Sequence, residues 1–326
     1  MQELLVLLTG ITLAVMVSIN GRLSAAAGVL LATVIIHIVG SAFAGVLCAL
    51  QKRKTPLWRR GPAWIYLGGP IGVIVTVFNN YACGRISMTS IIALGLLGQM
   101  VTALVLDGFG LLGMAKRPLR KSALPGLALS LAGVWMMLDA SVAAAAVAVG
   151  ISLAAGVCVV LSRTVNARLA GEIGALRGAF VNHLLGLPIT AALALAFRQS
   201  TAGVPGRLAQ QPWVLLGGFL GVAVVLLCNL TVPRVPAFRL TMLTFVGQVF
   251  TGILIDLLTG SGFSDVTFRG GAVIAAGVLL SLWAEHAAEK KTAARAQAAG
   301  ADGQQSPQMP APQPAPSAPA ESAPRR

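Results

Sequence analysis

Charge is scarce in this chain. Only 10% of its 326 residues are Asp, Glu, Lys or Arg, and 10 of those residues are acidic. A soluble domain carries about a quarter charged residues, so a water-facing globule is excluded. Acids this sparse leave no paired-carboxylate arrangement and no Asp/Glu cluster for a metal. There is no GxSxG, no HExxH and no P-loop, so hydrolase, metalloprotease and ATP-driven pump readings lose their motifs. Four cysteines, Cys48, Cys83, Cys158 and Cys228, lie in or beside apolar stretches without CxxC spacing and read as small packing residues. No cofactor and no metal is implied.

What the chain has is apolar length. Hydrophobic residues make up 56% and the mean hydropathy is +0.82. Runs near 20 residues recur, the length of a membrane-crossing helix. We place ten spans, near 3–19, 29–50, 63–83, 89–114, 122–139, 142–161, 175–197, 212–232, 238–260 and 268–285. Met1-Gln-Glu has no basic n-region, so the first run is expected to be retained as a span.

The formal net charge is +14. Its Lys and Arg residues are assigned to loops, which suits topology signalling and anionic lipid rather than nucleic acid. With the N-terminus inside, cytoplasmic segments (51–62, 115–121, 163–177, 233–239 and the tail) hold 19 basic residues. External ones hold Arg22, Arg85, Arg198, Arg207 and Arg269. The positive-inside rule then puts both termini in the cytoplasm.

The chain repeats itself. Gly10, Asn20, Arg22 and His37 match Gly156, Asn166, Arg168 and His183 at an offset of 146. Gly68-Gly69-x-x-Gly72, Asn80 and Arg85 match Gly217-Gly218-x-x-Gly221, Asn229 and Arg234 at 149. Gly98, Gln99, Thr102 and Asp107 match Gly247, Gln248, Thr251 and Asp256 at the same 149, and Gly126 and Gly133 match Gly270 and Gly277 at 144. The unit is five spans, and five is odd, so the second copy must enter from the other side. The loop charges invert with it, the mark of an inverted repeat. The expected fold is an all-α integral membrane protein of ten transmembrane helices in two inverted five-helix repeats, 1–140 and 141–289. A disordered Pro/Ala-rich cytoplasmic tail, 290–326, follows.

Each buried polar group has two readings. Gln99 and Gln248, with Thr102 and Thr251 on the same helical faces, are candidate substrate-facing groups near the bilayer midplane. Otherwise they are inter-helix hydrogen bonds worth ~0.6–2 kcal/mol. Asp107 and Asp256 lie eight residues on, roughly 12 Å along the axis. They read first as solvated residues at helix exits and second as symmetric gates or proton sites. His37 and His183 are either neutral imidazoles hydrogen-bonded between helices or titrating groups for proton coupling. Asn20, Arg22, Asn166 and Arg168 follow spans 1 and 6 and read first as helix caps, otherwise as the mouth of a cavity, with Arg also anchoring at the headgroups.

A duplicated five-span unit with Asn-x-x-Leu after its first span, then Gly-Gly-x-x-Gly, then Gly-Gln and Asp in its fourth, resembles the drug/metabolite transporter superfamily. More narrowly, it is similar to its branch of bacterial five-span proteins, fused here in tandem. The resemblance implies a secondary transporter of the bacterial inner membrane, an exporter of small metabolites working by alternating access. The related small multidrug-resistance proteins carry a Glu within their first span. Here Glu3 stands only at its start, which points to a neutral or zwitterionic solute rather than a cationic drug. Against a transporter stand a non-transporting assembly or sensing protein, whose polar residues only pack helices, and a membrane enzyme acting on lipids.

Overall fold

The computed structural model describes residues 1–52, 56–59, 61–83, 85–259 and 264–303, the side chains of 141, 144, 256, 285, 286, 288 and those beyond excepted. The helices are α1 (Gln2–Ala27), α2 (Val29–Leu50), α3 (Gly68–Ala82), α4 (Met88–Phe109), α5 (Leu124–Met136), α6 (Ser141–Ala144), α7 (Ala146–Ile173), α8 (Ala175–Ala196), α9 (Val204–Gln210), α10 (Leu216–Thr231), α11 (Ala237–Thr259) and α12 (Asp265–Gly303). Eight helices among the described residues are long and apolar enough to cross a membrane. α3 and α5 are shorter, at 15 and 13 residues, and α3 is preceded by a 3-10 turn over Ala63–Tyr66.

Residues 1–284 form one compact unit, in which the two copies interleave. α1 packs on α11 and α10, α7 on its counterparts α4 and α3, and α2 on α8. Glycine lets these backbones touch. A Cβ on Gly10 would strike the Thr244 carbonyl and lie 3.0 Å from the Gln248 nitrogen. At the equivalent Gly156 it would strike the Gly95 carbonyl and lie 2.9 Å from the Gln99 nitrogen. Without a hydrophobic driving force in lipid, such close backbone packing is what associates helices. The repeated glycines are therefore contact points between the copies.

These contacts also give directions. Glu3 meets Arg239 and Gly10 meets Thr244, so α1 and α11 run the same way. Gly95 faces Ser152 and Gly98 faces Leu153 and Gly156, so α4 and α7 do too. The end of α4 meets the start of α11 through Asp107.

Several expectations are corrected. The first span does not stop at 19: α1 continues to Ala27, and α7 to Ile173. Single glycines, Gly28 (φ 81°) and Gly174 (φ 97°), turn the chain into α2 and α8. Only glycine adopts that backbone without strain, so it sets the break. Asn20, Arg22, Asn166 and Arg168 are thus within helices and cap nothing. Arg163 and Arg177, assigned to a loop, are buried in α7 and α8. The stretch 290–303, expected to be disordered, is helical. Its Ala, Lys, Arg and Gln are strong helix formers, and the prolines begin only at Pro307. The rest of the expected tail lies outside the described residues.

Candidate functional site at the seam of the two repeats

The two intramembrane histidines meet. Antiparallel packing of α2 on α8 brings the His37 and His183 rings to a centroid separation of 5.3 Å with planes inclined by 63°. They are 9% and 4% exposed. Each sits in a notch left by a glycine of the other helix. A Cβ on Gly40 would lie 2.7 Å from His183 Nδ1, and one on Gly186 would lie 2.8 Å from His37 Nε2. Gly40 and Gly186 are themselves 146 apart. His37 Nδ1 and both nitrogens of His183 are buried without a protein hydrogen-bond partner. The rings pack edge to face.

Gln99 and Gln248 are half-buried, and neither side chain bonds to another described residue. Helical geometry explains where they point, since successive residues turn by about 100°. On α4, Leu96, Met100 and Ala103 join the core shared with α11, while Gly95 and Gly98 face α7. Gln99 falls between those two faces. Gln248 falls likewise between the face of α11 carrying Met242, Phe245 and Val249 and the face meeting α1. Each amide thus stands at a three-helix junction. The Thr102 hydroxyl donates to the Gly98 carbonyl at 2.7 Å, leaving its oxygen able to accept. Thr251 is half-buried and makes no bond to a described residue.

Asp107 is no solvated turn residue. It is 6% exposed, and its two carboxylate oxygens accept from the backbone N–H of Ala237 and Phe238, both at 2.8 Å. A negative charge on two free amides at a helix start is the strongest form of capping. That use explains why a carboxylate sits inside the span, and it makes Asp107 a structural tie between the copies. The Asp256 side chain lies outside the described residues.

Sequence reading missed Asn182, the partner of Asn166, and placed Arg163 in a loop. Asn166 Nδ2 donates to Asn182 Oδ1 at 2.8 Å, linking α7 to α8. Arg163 reaches the Ala237 carbonyl at 3.4 Å and the Thr241 hydroxyl. The signal for Arg163 was available: its repeat counterpart is Val17, which marks a charge the duplication did not supply.

A model of the family described as "Putative inner membrane exporter, YdcZ" matches residues 2–136 and again 147–283. The chain belongs to this family. It is accordingly a multi-pass inner-membrane protein of the drug/metabolite transporter superfamily, from a family of transporters rather than enzymes. The two matches coincide with the interleaved copies. A protein known from its crystal structure shares the fold: 18% identity, TM-score 0.62, with 87% of this chain and 96% of that one covered. Among curated proteins none matches. A membrane transporter implies a bilayer and a small-molecule solute.

Proposed function

We propose that the chain exports a small neutral or zwitterionic metabolite by alternating access between two inverted repeats of five spans, ten in all. Both termini are cytoplasmic. The observation that carries this reading is that Gln99 and Gln248, equivalent in the repeats, stand at helix junctions without a partner among the described residues. Inversion is supported by the helix directions. α1 runs with α11, α11 against α4, and α4 with α7, so α1 opposes its own copy.

Alternating access needs the two faces to be held differently. On the proposed cytoplasmic face Glu3 pairs with Arg239 at 3.0 Å and Arg59 with Glu172 at 3.4 Å, each joining one copy to the other. The counterparts of Glu3 and Arg239 are Val149 and Ser90, which cannot pair. The proposed coupling group is the His37–His183 pair: a proton added to either imidazole puts a charge against its neighbour at the centre of the seam.

The packing-only alternative asks Gln99 and Gln248 to bond neighbouring helices, and neither bonds to a described residue. Purified protein in liposomes, given a metabolite panel under pH and voltage gradients, tests the proposal. Flux is expected in the intact protein and is expected to be lost in Gln99→Leu/Gln248→Leu protein that still folds. Absence of flux for the whole panel overturns it.

A further inference from the structure

Arg163 is a buried cation with no carboxylate among the described residues in direct contact with it. It is 9% exposed. Its Nη2 is held by the Ala237 carbonyl and the Thr241 hydroxyl. Asp107, whose oxygens accept from the α11 amides, is near enough to attract Arg163 but makes no ion pair with it. The Nε and Nη1 edge of the guanidinium makes no hydrogen bond to a described residue. An ion taken out of water is tolerated when it is paired, and a planar guanidinium edge matches two oxygens of a carboxylate or phosphate.

Thr241, which Arg163 touches, begins a polar face of α11 that reaches Gln248. Thr241, Thr244, Gln248 and Thr251 lie on one face of α11, with Thr241 and Gln248 about 10 Å apart along the axis. The Thr244 hydroxyl is buried without a partner. The counterparts of Arg163, Thr241 and Thr244 are Val17, Ile92 and Gly95. The midplane amides are thus duplicated, whereas the polar arm leading from Gln248 to Arg163 exists in one copy alone.

We propose that Arg163 receives an anionic oxygen group, carboxylate or phosphate, on the transported solute, while Thr244 and Gln248 take its remaining polar groups. This rests on the transport reading and narrows its solute to one carrying an anionic end, a zwitterion included.

The test uses matched solutes with the full chain in phosphatidylcholine liposomes: lactate against lactamide, L-phenylalanine against L-phenylalaninamide, and glycerol 3-phosphate against glycerol. For at least one pair, uptake or competition is expected to favour the anion by about tenfold or more. Arg163→Gln is expected to bring that ratio near unity, and Arg163→Lys to keep part of it. Should Arg163→Gln fail to fold, the wild-type ratios still decide: neutral members moved as well as the anions overturn the proposal. A second arm adds phosphatidylglycerol. If Arg163→Gln abolishes only thermal stabilisation by that lipid, the anion is a headgroup and the solute assignment falls. Transport confined to neutral or cationic members of a wider panel sinks this inference and leaves the transporter standing; no transport at all sinks both.

Discussion

The imidazole of His37 packs edge-on against that of His183, 5.3 Å between centroids, though 146 residues separate them in the chain. Equivalent residues of an internal duplication touch each other only where the axis relating the copies passes between them. The pair therefore marks the centre of the seam, and Gly40 and Gly186 make the room for it.

That fit can be measured. Gly40→Ala should lower thermal stability in detergent by about 1–3 kcal/mol, because the added methyl meets the His183 ring. His183→Ala in the same chain removes the obstacle, so Gly40→Ala/His183→Ala should melt above the sum of the two single effects. Strict additivity would show that the ring and the glycine are not coupled.

Backbone contacts are less forgiving than side-chain ones. Gly10→Ala and Gly156→Ala push into carbonyls of α11 and α4, and no rotamer change relieves that. Both should cut the yield of folded protein sharply. Gly150→Ala and Gly171→Ala have open space around the new methyl. They should be neutral or gain up to about 1 kcal/mol from helix propensity. Fluorescence-detected size exclusion of the four variants compares them directly.

Asp107 is expected to act through stability. Asp107→Ala strips two amides at the start of α11 of their acceptor and should cost about 1–2 kcal/mol. Asp107→Asn should recover part of the loss. Flux per folded molecule should survive in Asp107→Asn; its abolition in stable protein would instead return Asp107 to a gating or proton-carrying role.

Coupling is tested by the pH profile of flux. In His37→Ala/His183→Ala protein, the response to an imposed pH gradient should flatten while solute binding persists. Full retention of that response would remove the histidines as couplers.

Gln99→Leu and Gln248→Leu should separate function from packing. Because neither amide bonds to a described neighbour, each variant should melt within about 1 kcal/mol of the parent and lose solute binding. A large fall in stability with flux intact would make them packing residues.

The sequence by itself determined the membrane class and the internal duplication, because apolar length and a fixed residue offset are properties of the chain alone. It also singled out His37, His183, Gln99 and Gln248, since polar groups are costly in lipid and these recur. It could not say which of them meet. Pairing across the seam depends on how α2 crosses α8 and on which glycine faces which ring, and both are set by packing between residues far apart in the chain. Asp107 makes the same point. Eight positions from Gln99 it reads as a helix exit, yet the fold carries the start of α11 to it and turns a presumed surface carboxylate into a buried cap. Arg163 was read as a loop charge until α7 proved to run on to Gly174, where a glycine backbone, rather than the end of an apolar run, decides the turn.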